Sequence, residues 1–324
     1  MTETNKPTID SVTETRTVTR EDGTSFAITL ARSLAPDAPL VLVVPAMGLQ
    51  ARWYRHLLGD FNGAGCHVAV TELRGHEVAG GRRPGRSYDF GYAELVDDLA
   101  RAVDALTEDG LPRPYLLGHS LGGHIASVYA ARHPGTVAGL ILVAAGSVHW
   151  RLWSFQHLLL TQTIAGSARL LGHFPGDRVG FGAREASTQM RDWARFARTG
   201  HLAFGEPRRD HTTALAACDL PLLAISLEGD TMAPRATVDG LAGMMPNTAL
   251  TRLHLDDPGN REQLHHLHWA RHPELVTPHI SAWLAEQRHQ RAEDLDGPSQ
   301  RTPFPMPDRP PGSERPVPQR GGRT

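Results

Sequence analysis

The stretch that decides the fold is "YLLGHSLGGHIA", residues 115–126. A short apolar run leads into "GHSLG", and a pattern of helical spacing follows it. Gly-x-Ser-x-Gly between a buried strand and a helix is typical of a nucleophile elbow, a sharp turn that presents the serine, here Ser120. Gly118 and Gly122 are the positions where such a turn leaves no room for a side chain. In a chain with 32 glycines the five letters alone also fit a plain glycine turn, so their surroundings have to decide.

Apolar runs of strand length recur along the chain and alternate with segments of helical periodicity. The runs lie at 39–44, 66–73, 114–118, 137–145, 220–227 and 248–255, and the helical segments at 52–63, 90–108, 122–133, 235–244 and 273–287. Two alternating stretches around Asp22-Gly23 add a hairpin. This order predicts an α/β protein with a doubly wound, mostly parallel eight-stranded sheet whose central strands are buried on both faces.

One long segment, residues 147–215, interrupts this alternation and is too long for a loop. It is rich in Trp and Phe and has helical spacing, which predicts a helical cap insertion. Its aromatic side chains can form the core of the insertion, or they can line an apolar pocket beneath it. The candidates for the pocket are Trp150, Trp153 and Phe155.

Composition limits the class of protein and its partners. The α/β domain is predicted at 11–288, with a disordered N-terminus at 1–10 and a disordered Pro/Arg/Gly-rich tail at 289–324. A net charge of −2 gives no basic face for nucleic acid. Two cysteines indicate neither a disulfide framework nor a metal site. No apolar run approaches the roughly 18 residues of a membrane span, and the N-terminus is polar, so we expect a cytoplasmic protein.

A serine nucleophile needs a base and an acid that orients it, and in this arrangement their chain order is Ser, acid, His. The run 220–227 is followed by "EGDTMAP", which places Asp230 just beyond a strand end. Asp230 is therefore the predicted acid, with Glu228 as the alternative. A turn aspartate without any catalytic role is the plainer interpretation of the same residue.

The base must lie between the run 248–255 and the last helical segment. "HHLHWARH" offers His265, His266, His268 and His272, and His266 is the predicted base, with His265 and His268 as alternatives. A metal site is disfavoured because no acidic residue stands at ligand spacing, and no other cofactor is expected.

Two backbone N–H groups are candidates for an oxyanion hole. One belongs to Leu121, directly after the nucleophile, and the other to Met47, in the loop "PAMGLQ" after the first buried run. The histidines next to the motif receive no role: His119 is the variable position of the motif and His124 lies on the following helix.

These motifs resemble the α/β-hydrolase superfamily, in particular a bacterial branch of serine hydrolases of the serine aminopeptidase and lysophospholipase type. The matching pieces, in order, are "VVPAMG", "ELRGH", "GHSLGG", "LEGDTMAP" and "HLHWARHPELV". The chain departs from the common pattern at Glu72, Glu77 and Ala79, where such proteins often have Asp, Gly and Ser. Leu227 and His265 stand where glycine is common.

The resemblance and the residues together predict a serine hydrolase that cleaves a small or medium apolar carboxylic ester or thioester. Its partner would be a small-molecule acyl substrate. An acyltransferase or a peptidase could use the same three residues, and a non-catalytic ligand-binding protein could keep the same fold. Serine at the nucleophile position argues against epoxide and haloalkane hydrolysis, which would need aspartate there.

Overall fold

The computed structural model describes residues 13–79 and 81–296, and its centre is one large sheet. The strands of this part, numbered along the chain, are β1 Thr13–Thr19, β2 Ser25–Ala31, β3 Leu40–Val44, β4 His67–Thr71, β5 Tyr115–His119, β6 Gly139–Val143, β7 His173–Pro175, β8 Arg184–Ala186, β9 Ala203–Phe204, β10 Arg209–Asp210, β11 Pro221–Leu227 and β12 Ala249–Leu255. The helices are α1 Arg55–Gly63, α2 Tyr92–Glu108, α3 Leu121–Arg132, α4 Phe155–Leu171, α5 Gly176–Val179, α6 Ser187–Thr199, α7 Thr212–Ala216, α8 Arg235–Ala242 and α9 Thr277–Asp296.

Eight strands form the sheet in the order β1-β2-β4-β3-β5-β6-β11-β12. The pairs β1–β2 and β2–β4 are antiparallel, and the other neighbouring pairs are parallel. The first hairpin turns at Asp22-Gly23, as predicted, with Gly23 at a φ of +76°. Strands alternating with helices in a mostly parallel eight-stranded sheet confirm the predicted fold class.

Strand β3 explains why the central strands are apolar at every position. Leu40, Leu42 and Val44 belong to the core on one face of the sheet, and Val41 and Val43 belong to the core on the other. Successive side chains of a strand point to opposite faces, so a strand covered on both sides needs a continuous apolar run. Burying one such side chain contributes about 1.5–3 kcal/mol.

Helices supply both covers. Leu57 of α1 and Trp283 of α9 lie in one core, whereas Leu99 of α2, Ile125 of α3 and Val238 of α8 lie in the other. In a sheet of this kind the loops after parallel strands gather at the carboxyl edge. The candidate residues follow β3, β5, β11 and β12 in this way: Met47, Ser120, Asp230 and His266.

The segment between β6 and β11 is an insertion, residues 144–220, and contains α4 to α7. Besides the expected helices, it has two short antiparallel pairs, β7–β8 and β9–β10. Helix α4 packs against α6. The ring centroid of Phe181 lies 6.3 Å from that of Phe174 and 5.6 Å from that of Trp193. Phe196 is buried. Part of the aromatic content therefore forms a core for the insertion.

Most of both predicted disordered ends lies outside the described residues. This applies to the predicted N-terminus, 1–10, and to residues 297–324 of the predicted tail. Helix α9 continues to Asp296, eight residues into the predicted tail. Residues 289–296, "HQRAEDLD", are rich in good helix formers, and His289 pairs with Glu293 one turn later at 3.2 Å.

Candidate active site

Ser120 occupies a sharp turn between β5 and α3. Its φ of +53° and ψ of −118° lie outside the usual regions, at a cost of about 1–3 kcal/mol. Two backbone bonds hold this turn: Ser120 N–H donates to Val143 O at 3.4 Å, and Gly123 N–H donates to Ser120 O at 2.9 Å. The strand-to-helix turn therefore presents the Ser120 hydroxyl at the N-terminus of α3.

The two motif glycines are required by close backbone approaches. A Cβ atom on Gly118 would collide with the backbone of Gly123, and one on Gly122 would collide with the carbonyl oxygen of Val44. Both neighbours are main-chain atoms, which have no rotamer to move away. The glycine spacing thus follows from the packing of the turn against its own helix and against β3.

The structure brings Ser120, His266 and Asp230 into one hydrogen-bonded chain. Ser120 Oγ lies 2.9 Å from His266 Nε2, and His266 Nδ1 lies 2.8 Å from Asp230 Oδ2. His266 and Asp230 are buried, while Ser120 is half-buried and retains access to solvent. With Nδ1–H donating to the carboxylate, His266 Nε2 is free to accept the serine proton.

The carboxylate of Asp230 is fixed by the turn that carries it. Its Oδ1 accepts the backbone N–H groups of Met232 at 2.7 Å and Ala233 at 2.8 Å, so Oδ2 remains for His266. The alternative acid, Glu228, instead accepts from His254 Nε2 at 3.0 Å. Of the two candidate carboxylates, Asp230 is therefore the one that contacts His266.

The alternative bases lie in different surroundings. The rings of His265 and His268 face each other at 5.5 Å, and His268 Nδ1 contacts the carbonyl oxygen of Glu262 at 3.1 Å. His268 is exposed and His265 is half-buried, whereas His266 is only 2% exposed. In the part of the chain that the structure describes, no three His, Cys, Asp or Glu side chains form a group able to hold a metal ion.

A second Ser–His–acid chain lies on β11 and β12. Ser226 Oγ is 2.8 Å from His254 Nδ1, and His254 Nε2 is 3.0 Å from Glu228. Ser226 is fully buried within a strand and also accepts a bond from Arg252 at 2.7 Å. It has neither the strained turn nor the helix N-terminus of Ser120. This chain is a useful reference because it has similar contacts without the elbow.

The predicted oxyanion donors follow the ends of two neighbouring strands, β5 and β3. Leu121 is the first residue of α3, and the first N–H groups of a helix have no acceptor within it. Met47 follows β3, and Val44 at the end of β3 pairs with Gly118 of β5, so the two loops are neighbours. An anion next to Ser120 would also be favoured by the dipole of α3.

The loop of Met47 packs against the insertion. Gly48 has a φ of +77°, and a Cβ there would lie 2.7 Å from the backbone nitrogen of Ala183. The nearby Glu185 accepts from Ala183 N–H at 2.9 Å and contacts His76 Nε2 at 3.1 Å. Burial opposes both charges, yet the pKa of His76 is raised by Glu185 and that of Glu185 is lowered by His76. The approach of the insertion at Ala183 therefore leaves no room for a side chain at position 48.

The three candidate pocket residues lie at the start of the insertion. Trp153 stacks on His157 with ring centroids 4.6 Å apart, and its indole N–H donates to Ser147 O at 3.1 Å. Trp150 is half-buried, whereas Phe155 is 59% exposed. Trp153 is thus held in place from two sides, and Phe155 lies largely in solvent.

The sequence did not predict two histidine networks beside Ser120. His119 contacts the Tyr54 hydroxyl at 2.8 Å and the carbonyl oxygen of His266 at 2.8 Å, and His124 contacts the Tyr92 hydroxyl at 3.2 Å. Burial lowers the pKa of both histidines, that of His124 to about 4. The one signal in the sequence is a histidine at the end of a buried strand; its partners lie too far away along the chain to be read.

Two departures from the family pattern have structural explanations. Glu72 accepts backbone N–H groups from Ala27 and Val78, both at 2.8 Å, and so joins two chain segments. Glu77 is buried and pairs with Arg20 at 2.7 Å. The longer side chain at 72 and the charge at 77 are therefore used to hold the loop after β4.

The fold and the site together define the class of protein that this chain resembles: its fold is that of the α/β-hydrolases. Residues 35–190 match the family model described as "Serine aminopeptidase, S33". None of the helices within the described ranges is long and apolar enough to cross a membrane.

Two lipases match over about a third of the chain. A monoacylglycerol lipase of Mycolicibacterium smegmatis is 37% identical over 112 residues, covering 33% of this chain and 39% of the relative. The human monoglyceride lipase is 36% identical over 107 residues, covering 32% of this chain and 34% of the relative. The chain therefore spans well under half the length of these two relatives.

Solved structures match over most of the chain at low identity. Est1E of Butyrivibrio proteoclasticus, with ferulic acid bound, has a TM-score of 0.58 at 16% identity and covers 85% of this chain and 99% of its own. The esterase EaEST of Exiguobacterium antarcticum has a TM-score of 0.59 at 14% identity, covering 84% of this chain and 100% of its own. These likenesses show the fold.

Proposed function

We propose that the chain is a serine hydrolase that cleaves small or medium apolar carboxylic esters or thioesters through an acyl-enzyme on Ser120. The observation that carries the proposal is the hydrogen-bonded chain from Ser120 through His266 to Asp230, at 2.9 and 2.8 Å. It stands on a strained turn at a helix N-terminus, which is the geometry that serine-based acyl transfer needs.

In the first half of the reaction, Ser120 Oγ attacks the carbonyl carbon while its proton passes to His266 Nε2. The negative charge that develops on the carbonyl oxygen is bound by the N–H groups of Leu121 and Met47. Asp230 stabilises the imidazolium. The C–O bond of an ester, or the C–S bond of a thioester, then breaks, and the leaving alcohol or thiol takes the proton from His266.

In the second half, water resolves the acyl-enzyme. His266 accepts a proton from the water, and the resulting hydroxide equivalent attacks the acyl carbonyl through a second tetrahedral intermediate. The ester bond to Ser120 breaks, Ser120 Oγ recovers its proton from His266, and the carboxylic acid leaves. The same group thus acts first as base and then as acid in each half.

The substrate class is supported by the relatives and by the insertion. Two matching relatives are named as lipases of monoacylglycerol and monoglyceride, and Est1E is described with ferulic acid bound. We propose that the insertion acts as a cap over the site and that Trp150, Trp153 and Phe155 contribute to an apolar acyl pocket. Aromatic and aliphatic walls of this kind select apolar groups and exclude water.

An aminopeptidase reaction is less well supported by the acidic residues of the insertion. A free amine would need an available carboxylate near the site. Glu185 is buried and already binds His76, Gln189 and the backbone of Ala183. Asp192 accepts a backbone N–H at 3.1 Å, and burial raises its pKa to about 6. Ester hydrolysis needs no such carboxylate.

The direct test compares Ser120→Ala with Ser226→Ala on a series of p-nitrophenyl esters from acetate to laurate. We expect the first variant to lose roughly 10⁴-fold or more in kcat, because the nucleophile is gone. Ser226→Ala should keep kcat/KM, since Ser226 lies in a Ser–His–acid chain without an elbow. Undiminished turnover in Ser120→Ala would contradict the proposal, and kcat/KM that does not rise beyond acetate would contradict an apolar acyl pocket.

A non-catalytic receptor on the same fold makes a different prediction. A fluorophosphonate reacts only with an activated serine, so we expect labelling at Ser120 in the native protein and none in Ser120→Ala. Absence of label on Ser120, with the protein folded by circular dichroism, would support the receptor instead.

A further inference from the structure

His119 is the fully buried residue directly before the nucleophile, and it lies in the middle of a chain of hydrogen bonds. At one end, Ala46 N–H donates to the Tyr54 hydroxyl at 2.9 Å. The Tyr54 hydroxyl is 2.8 Å from His119 Nδ1, and His119 Nε2 is 2.8 Å from the carbonyl oxygen of His266. The chain therefore connects the residue before Met47 with the main chain of the base.

The direction of the bonds fixes the tautomer of His119. The His266 carbonyl can only accept, so His119 Nε2 carries the proton, and Nδ1 accepts from Tyr54, whose oxygen already accepts from Ala46. The indole nitrogen of Trp269 also lies 3.2 Å from Nε2. The opposite tautomer would suit that indole, but it would place a nitrogen lone pair 2.8 Å from the carbonyl oxygen and leave the Tyr54 proton unused.

His119 stays neutral in this position. Burial, together with the neighbouring His266 ring, holds the pKa of His119 well below its usual value. The two ring centroids are 5.3 Å apart. A neutral His119 adds no full charge beside the base when His266 becomes protonated during the reaction.

A second contact joins the segment after β3 to the loop that carries His266. The indole N–H of Trp53, the residue before Tyr54, donates to the carbonyl oxygen of Leu267 at 3.1 Å. Two consecutive side chains after the Met47 loop are thus linked, one directly and one through His119, to the consecutive carbonyl groups of His266 and Leu267. The carbonyl of His266 lies outside the helices and strands, and Leu267 is the N-cap residue of the short 3-10 helix His268–Arg271.

We propose that His119 is a positioning residue that holds the loop of His266, residues 256–267 (the base loop), against the loop of Met47, residues 45–50 (the oxyanion loop). The contact would keep His266 and Met47 correctly placed relative to Ser120. The inference rests on the proposed function and adds a residue to it that does not touch substrate. Precise placement of this kind matters because a displacement of about 1 Å in a catalytic group can cost 10²-fold in rate.

His124 provides a matched control for the test. It is also a buried histidine, and it too is linked to a tyrosine hydroxyl through Nδ1 and to a carbonyl, that of Gly146, through Nε2. Its chain does not reach the base loop. His119→Met and His124→Met remove the same two hydrogen bonds from comparable surroundings, so both should lower thermal stability.

The experiment measures kcat and KM for p-nitrophenyl butyrate, the rate of fluorophosphonate labelling, and Tm. We expect His119→Met to lower kcat and labelling about 10–100-fold with KM nearly unchanged, since the chemical step and not ground-state binding is impaired. His119→Gln, whose amide can still donate and accept, should recover most of the loss. His124→Met should keep kcat within about twofold despite a lower Tm.

The positioning role would be overturned if His119→Met and His124→Met lost the same amount of Tm and both kept the kcat of the native protein. Parallel loss of activity in both variants would also overturn it, because a general packing defect would then suffice. Failure of the proposed function would be seen in a different variant. In that case Ser120→Ala would turn over esters as fast as the native protein, whatever the variants of His119 do.

Discussion

His119 and His124 lie on either side of Ser120 and make the same kinds of hydrogen bond to different parts of the molecule. Each is buried, neutral, and linked to a tyrosine and a backbone carbonyl. The chain of His119 ends on the base loop at His266, whereas that of His124 leads towards the insertion. The ring of His124 packs edge-on against Phe196 of α6 at 5.2 Å. The role of a buried histidine is thus decided by the carbonyl that it holds.

The largest effect on kcat is expected at His266, where the hydrogen-bond chain of His119 ends. We expect His266→Gln to lower kcat by roughly 10³- to 10⁴-fold, because the base is lost, while His265→Gln keeps it. Steady-state kinetics with p-nitrophenyl butyrate measure both variants. A strong loss in His265→Gln together with a mild one in His266→Gln would transfer the base to the neighbouring residue.

A smaller difference in kcat is expected between variants of Tyr54, the partner of His119, and Tyr92, the partner of His124. Tyr54→Phe leaves Ala46 N–H and His119 Nδ1 without their partner, and we expect kcat to fall about 10-fold. Tyr92→Phe should lower Tm without changing kcat.

A double-mutant cycle sharpens this prediction. The effects of Tyr54→Phe and His119→Met on kcat should be clearly less than additive, because both break one chain. Additive losses would mean that the two residues act independently.

In acid the two histidines should behave alike. The folded pKa of His124, about 4, lies below the unfolded value near 6.5, and so does that of His119. Between pH 6.5 and 4 the unfolded state takes up a proton on each histidine that the folded state does not. The unfolding free energy is therefore highest above pH 6.5 and falls as pH falls towards 4. His124→Gln should reduce the fall in unfolding free energy between pH 6.5 and 4 by about 3 kcal/mol. Chemical denaturation across this range measures it, and an unchanged slope would contradict the buried neutral state.

The smallest effect is expected at Asp192, which binds the backbone of Tyr92 beside His124. Burial raises the pKa of Asp192 from its usual 3.8 to about 6, so ionisation of this carboxyl lowers stability as pH rises through that range. Asp192→Asn keeps the acceptor for Tyr92 N–H and should stabilise the protein at pH 8 by about 1 kcal/mol. The gain should vanish below pH 4, and a constant gain across pH would contradict this explanation.

Much of this structure was readable from the sequence because it depends on local patterns. Continuous apolar runs predict buried strands, and "GHSLG" predicts a turn with no room for Cβ atoms. Chain order placed Ser120, Asp230 and His266 on loops at the same edge, and the structure brings these three side chains together. The choice among His265, His266 and His268 required distances that spacing cannot supply.

The features that the sequence did not predict depend on long-range contacts. Tyr54, His119 and His266 are separated by 65 and 147 residues along the chain, and no periodicity links them. The need for Gly48 arises from the approach of the insertion. The helical residues after 288 follow a composition that resembles a tail but contains good helix formers.

The central claim, that Ser120 carries the acyl group, is tested most directly by trapping the intermediate. The protein is mixed with excess p-nitrophenyl butyrate, quenched in acid during the first turnovers, digested and analysed by mass spectrometry. The account predicts a butyryl group on the peptide that contains Ser120, and none on that peptide in Ser120→Ala. A butyryl group on another residue, or ester turnover that persists in Ser120→Ala, would contradict it.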